Sequence, residues 1–362
     1  VSAIVFAALL TATCAPAQEE GEESMSQQGQ GQMTPSIPSL VPAVPPASSR
    51  SIHLSVVVAP SPGAAPVAGL LQNEFVVRDN NVTQSITSFQ TVSGDRAPAE
   101  VVLVIDAVNA SYQRMPYERQ QIAAFLRENG GKLSRPTAVA ILTDTGIQMQ
   151  PQFSTDGNGL ADFVDHVTIP IRSIGRSAGY YGADDRFQKS IRGFTTLLNR
   201  LDPDPGRKLV LWISPGWPFL SGPRTNLDKR SQQNIFDSIV AISGRMRHAA
   251  VTLYSIAPVL NSNTESIFYY QQFLKPIQKP SQVQIGNLGV QILATESGGL
   301  VLNSSNDLAN YLRTAVADTT AYYELSFDPA PSERDGEYHK IDITLTRPGL
   351  TARTRTGYYS QK

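Results

Sequence analysis

Between residues 101 and 303 the chain repeats one pattern: a short, nearly unbroken apolar run, then a longer segment with apolar residues at three- and four-residue steps. The runs are "VVLVI" (101–105), "TAVAILT" (137–143), "IQMQPQF" (147–153), "KLVLWI" (208–213), "VTLYSIA" (251–257) and "GLVLN" (299–303). All but "IQMQPQF" lack polar alternation; such runs are strands buried on both faces, and the segments between them must supply the covering helices. Phe187, Ile191, Phe194, Leu198 and Leu201 mark one such helical face, and Ile235, Ile239, Ile242 and Met246 another. Pro116 opens a helix and Gly130-Gly131 closes it; segments 282–297 and 305–320 are read as the last two helices. Only the gap between 143 and 147 is short enough for a hairpin, so one strand should be an antiparallel edge.

The flanks read differently. "SIHLSVVVA" (51–59), "EFVVRD" (74–79) and "QSITSFQTV" (84–92) are β-type, with Asn80-Asn81 as a turn. "AYYELSFDP" (321–329), "YHKIDITLTRP" (338–348) and "TARTRTGYYS" (351–360) are three more strands. Neither set is large enough to be stable alone, so the two should join across the intervening domain. Residues 18–50 are rich in Gln, Glu, Gly, Ser and Pro and cannot bury enough surface to offset ordering entropy. Residues 1–17 have the form of an export signal. Ile4–Leu10 is far shorter than the ~20 residues that span a bilayer, and Ala15-Pro16-Ala17 fits the small-x-small cleavage pattern. Cys14 is the sole cysteine; a lipoprotein reading would make it the anchor, but Thr11 and Thr13 are poor residues for such a signal. The boundaries are therefore 1–17 signal, 18–50 linker, 51–97 first strands of a β module, 98–320 α/β domain and 321–362 its last strands. The expected location is the periplasm, the cell envelope or the medium.

A strand that ends in Asp106, a helix, a hairpin and a later strand–Ser214-x-Gly216 turn resemble a von Willebrand factor A domain. "LLQNEFVVRDNNVTQSITSF", "DAVNASYQRMPYERQQIAAFL", "LVLWISPGWP" and "YYELSFDP…RDGEYHKIDITLTRPGLTARTRTGYY" are, in order and spacing, similar to the bacterial family of VWFA-related acidobacterial domain proteins. The resemblance covers roughly 51–360. It implies a doubly wound, mostly parallel α/β sheet of von Willebrand A type with a discontinuous β-sandwich-like module, in an exported protein of poorly defined role.

Domains of that type hold Mg²⁺ through D-x-S-x-S after the first strand, where one loop supplies a carboxylate and two hydroxyls to an octahedral ion. Here those positions read Asp106, Val108 and Ala110, and the acid of the usual S-D-G is Pro215. The pattern implies a degenerate site without a metal or other cofactor, in which Asp106 braces the turn. A shifted ligand set of Asp106, Asn109 and Ser111 is the alternative. A serine hydrolase using Ser214 is a further one, although Pro215 has no N–H to donate to an oxyanion. His53, His166, His248 and His339 lie in four segments without metal-type spacing. The paired acids Asp184-Asp185 and Asp202/Asp204 mark helix ends, and "SIGRSAGYYGADD" (173–185) has glycines without a nucleotide-binding pattern.

A net charge of −1 supplies no global field toward nucleic acid or anionic lipid. The charge is distributed locally: "EEGEE" lies near the start, and the last twenty residues are basic. With no catalytic motif intact, the expected activity is protein binding, not enzymatic. Tyr112 and Met115 in one loop, and Trp217 and Phe219 in the other, where Leu220 also lies, are the expected partner-binding residues at the carboxyl edge of the sheet, on a surface centred on Trp217.

Overall fold

The computed structural model describes residues 51–94, 98–172, 178–203, 206–219, 227–258, 269–330 and 334–360. The expectations placed on 1–50, including the signal and Cys14, and those on Asp204, Leu220 and residues 173–177 lie outside the described residues.

The α/β domain contains strands β5 (Ala99–Asp106), β6 (Lys132–Thr143), β7 (Gly146–Met149), β8 (Ser154–Asp156), β9 (Arg207–Ile213), β10 (Val251–Ile256) and β11 (Val301–Leu302). They form one sheet in the order β11-β10-β9-β5-β6-β7, with β8 also on β6. The first five in that order are parallel neighbours, while β7 and β8 run antiparallel to β6. Thr143 pairs with Gly146, so the short gap is a hairpin. The strand order reverses between β5 and β9, which makes their carboxyl ends the topological switch point.

Helices α1 (Met115–Leu126), α2 (Gly157–His166) and α6 (Leu308–Ala317) cover one face; α3 (Gly179–Leu201), α4 (Lys229–His248) and α5 (Val290–Glu296) cover the other. Alternate residues of each strand enter opposite cores: Val102, Val104, Val210 and Trp212 go one way, and Leu103, Ile105, Leu209 and Leu211 the other. This two-sided burial explains the unbroken apolar runs. The segment 282–297 is not one helix. Its first half forms short 3₁₀ turns at Pro280–Gln282 and Ile285–Leu288, and α5 begins at Val290. The break falls at Gly289, whose backbone is extended (φ −66°, ψ 144°); Gly286, inside the preceding turn, must be glycine because a Cβ there would lie 2.5 Å from the Phe273 ring.

The flanking strands are β1 (Ile52–Ala59), β2 (Phe75–Asp79), β3 (Val82–Gln84), β4 (Ile86–Ser93), β12 (Ala321–Phe327), β13 (Tyr338–Leu345), β14 (Thr351–Arg353) and β15 (Gly357–Tyr359). They make two four-stranded sheets, β14-β1-β12-β4 and β15-β13-β2-β3. Each sheet contains strands from both ends of the chain. Leu54, Val56, Phe75, Val77, Tyr323, Leu325 and Ile341 fill the core between them. Asn80 and Asn81 both have positive φ (47° and 68°), as the tight β2–β3 turn requires. The fold is thus a doubly wound, mostly parallel sheet of von Willebrand A type with a discontinuous β-sandwich.

Candidate functional site

Strand register fixes the site. Ile105 pairs with Ile213, so Asp106 and Ser214 emerge side by side at the switch point. Asp106 is fully buried. Its Oδ1 accepts the backbone N–H groups of Val108 (3.1 Å) and Asn109 (3.0 Å). Its Oδ2 accepts Asn109 Nδ2–H (2.8 Å) and the indole Nε1–H of Trp212 (3.0 Å). The Ser214 hydroxyl adds a further hydrogen bond. Burial raises the Asp106 pKa above the usual carboxylate range, and the bonds from Asn109, Trp212 and Ser214 oppose that rise. A carboxylate surrounded by donors in this way is a brace for the turn, with its acceptor capacity already used.

The neighbouring positions explain why. Val108 is buried in the core shared with Trp212 and Trp217, and Ala110 in the opposite core with Met115. Apolar side chains pack where a metal-binding loop would present hydroxyls. Asn109 donates to Asp106 and, across the gap to α3, to Ser190 Oγ (2.8 Å). Ser111 is exposed, and its carbonyl accepts the N–H groups of Arg114 and Met115 that start α1. The shifted set of Asp106, Asn109 and Ser111 is therefore not assembled: two of the three bond each other, and the third faces solvent. Among the described residues, no group of three or more His, Cys, Asp or Glu side chains is arranged to hold a metal. The residues present do not fit a divalent cation.

Ser214 is also fully buried, and its Oγ accepts Gly216 N–H (3.1 Å). The four histidines lie elsewhere: His53 contacts Ser326, His166 the Asp162 carbonyl, His248 Asp202, and His339 Asp79. Ser214 thus lacks the exposure that nucleophilic attack requires, and none of the four histidines stands beside it.

The expected partner residues divide. Tyr112 is 79% exposed, and Phe219 is half-buried, stacked on Phe273 with centroids 5.4 Å apart. Met115 and Trp217 are each only 2% exposed, which corrects their expected place at the surface. Gly216 adopts φ +106°, and a Cβ there would lie 2.4 Å from Gln291 Nε2. That glycine turn folds Trp217 back beneath the loop, against Trp212 (5.3 Å between centroids) and Phe194 (5.8 Å). The prolines that flank Trp217 shape a turn inward, not a displayed tip.

The sequence reading missed Glu118. It lies on the inward face of α1 with Met115, Ile122 and Leu126, and is 1% exposed. Neither carboxylate oxygen has a hydrogen-bond partner among the described residues. Burial pushes its pKa up to about 7; the Arg114 charge opposes this and the Asp106 charge adds to it. The inward stripe of α1 was the available signal, since an acid at that spacing stands among core residues. Arg172 was also missed: it pairs with Asp144, just after β6, and with Asp185 on α3. Asp185 therefore holds the connection between α2 and α3 to the sheet edge and is not a helix-end marker.

No family model and no curated protein matches this sequence. Among solved structures, proximal thread matrix protein 1 of the mussel byssus aligns at 14% identity and a TM-score of 0.38. That match covers 67% of this chain and 51% of the mussel protein, so the chain spans about half of that relative. The SpRpn10 VWA domain aligns at 13% identity (TM-score 0.28; 60% of this chain, 94% of that one). The manganese-loaded TRAP protein of Plasmodium vivax aligns at 8% identity (TM-score 0.32; 76% and 99%). The fold description rests on strand order and register rather than on these likenesses.

Proposed function

We propose that the chain is an exported, non-enzymatic protein-interaction module of the VWFA-related acidobacterial type, which binds its partner through carboxyl-edge loops without a metal. The observation that carries this reading is the saturation of Asp106: protein donors occupy the carboxylate that would otherwise ligate an ion. Among the described residues no helix is long and apolar enough to cross a membrane.

With Trp217 and Met115 in the core, the contact surface is recentred on Tyr112. This ring stands at the rim of a groove of about 640 Å³, whose wall includes Pro116, Arg119, Ile169 and Ile171. An exposed aromatic beside a groove with apolar and cationic walls suits a protein segment that carries an apolar anchor. The test is photo-crosslinking from position 112 in the native envelope fraction, with and without EDTA. A discrete adduct that persists in EDTA and disappears on competition with unlabelled protein supports the reading. Absence of an adduct, or one that requires Mg²⁺ or Mn²⁺, contradicts it.

A further inference from the structure

A second site lies away from the carboxyl-edge loops, in a cleft of about 450 Å³ where the α/β domain meets the β-sandwich. Arg207, Arg247 and Arg355 line it, and Glu324 is the sole acid among its lining residues. Three cations against one anion leave the cleft with a formal charge of +2.

The arginines of this region fall into two groups. Arg135 donates to Thr319 and to the Gly94 carbonyl; Arg207 donates to the Asp318 carbonyl and lies over the Tyr322 ring; Arg353 pairs with Asp318. These three are tied into the structure. Arg247 and Arg355 have no hydrogen-bond or carboxylate partner among the described residues. Burial lowers the pKa of both, and Arg247's charge helps to bring Arg355 down to about 10. Two like charges brought together in a partly buried cleft are unfavourable unless something supplies the missing negative charge.

Both side chains nevertheless stand on firm supports. Arg247 belongs to the last turn of α4, where the helix dipole favours a cation, and its guanidinium lies over the Tyr358 ring at 5.9 Å. Arg355 follows β14. There the backbone of Thr354 and Arg355 presses against Gly298, where a Cβ would lie 2.5 Å from Thr354 C and 2.9 Å from Arg355 N. Thr354 Oγ1 donates to the Ser55 carbonyl (2.9 Å). The rest of the lining is rich in hydroxyls, among them Ser55, Thr87, Ser88 and Thr252, while Leu54, Val251 and Leu325 in it are buried. Guanidinium forks match phosphate and carboxylate geometry, and a hydroxyl-lined wall suits a hydroxylated body.

We propose that this cleft binds a small polyhydroxylated anion, with a phosphate or carboxylate held between Arg247 and Arg355 and the hydroxylated body against the serine and threonine wall. The volume suits a ligand of one or two rings. The basic C-terminal stretch of the sequence thereby gains a role that partner binding leaves unexplained.

Isothermal titration of the full chain at low ionic strength, with glucose 6-phosphate, glucuronate and glucose as probes, tests the site and separates phosphate from carboxylate. At least one charged sugar is expected to bind and glucose is not. Arg247→Gln and Arg355→Gln should each weaken binding about tenfold or more, and Glu324→Gln should strengthen it. A thermal melt shows whether each variant is folded; Arg355→Gln remains decisive if loss of the Arg247–Tyr358 contact unfolds the other. No binding of either charged sugar, equal binding of glucose, or unchanged affinity in a folded Arg355→Gln protein would overturn the proposal.

Discussion

Asp106 and Glu118 are two buried carboxylates near the same switch point, and the protein treats them in opposite ways. Asp106 receives donors from two backbone N–H groups, Asn109, Trp212 and Ser214. The Glu118 carboxylate, one turn into α1, has no hydrogen-bond partner among the described residues. Burial raises both pKa values, but only at Asp106 do hydrogen bonds resist the rise. Burial alone therefore does not say what a carboxylate does. The donors around it decide whether it is a structural brace or an unsatisfied group whose charge depends on pH.

The strongest challenge to this contrast is removal of the packing that holds the Asp106 brace in place. Trp217→Ala should destabilise the fold by about 4 kcal/mol, as expected for a large aromatic deleted from a core. Urea denaturation measures this. A loss below about 1 kcal/mol would return Trp217 to the surface. Asp106→Ala should cost about 3 kcal/mol, because it leaves the indole N–H of Trp212, two backbone N–H groups and Asn109 without their acceptor. The same denaturation curves measure it, and a near-neutral result would remove the brace.

Glu118 sharpens the comparison through pH. Its pKa is about 7 in the folded protein, against about 4.5 for an ordinary glutamate. The unfolded chain loses its proton first, so folded stability is fully retained below about pH 4.5 and falls as pH rises toward about 7. Above that it is level. The linked loss is on the order of 3 kcal/mol. Glu118→Gln should therefore be more stable than the parent at pH 8 and similar to it at pH 4, as read by chemical denaturation at both pH values. A parent protein equally stable relative to the variant at both would mean that Glu118 finds a partner in solution. The smallest effect is expected at Tyr112, whose ring is exposed: Tyr112→Ala should change stability by less than about 0.5 kcal/mol while abolishing partner crosslinking from a probe placed at position 119 of the same groove. A larger loss of stability would give the ring a packing role.

The two carboxylates also show how far the sequence can be read. The apolar run into Asp106 was enough to place that residue at a strand end, because two-sided burial leaves a continuous hydrophobic signature. The reversal of strand order was legible only through the resemblance, since runs of similar composition do not encode which neighbours pair. The loss of metal-type side chains at Val108, Ala110 and Pro215 could be read directly. The packing of Val108 and Ala110 into two opposite cores could not. Trp217 was misplaced because a Pro- and Gly-rich stretch shows that the chain turns, without showing which way. The clash between Gln291 and any side chain at position 216 is a contact across 75 residues of sequence. Pro116 and Gly130-Gly131 mark the ends of the Glu118 helix but not which of its faces turns inward, so they carry no sign that this acid is buried.

At Asp106, protein donors stand where a metal would bind. Differential scanning calorimetry of the parent protein in EDTA, then in excess Mg²⁺ or Mn²⁺, tests this most directly, because an ion bound only by the folded state must raise the melting temperature. The expected melting temperature is the same in all three conditions. A rise with either metal that disappears in Asp106→Asn would contradict it.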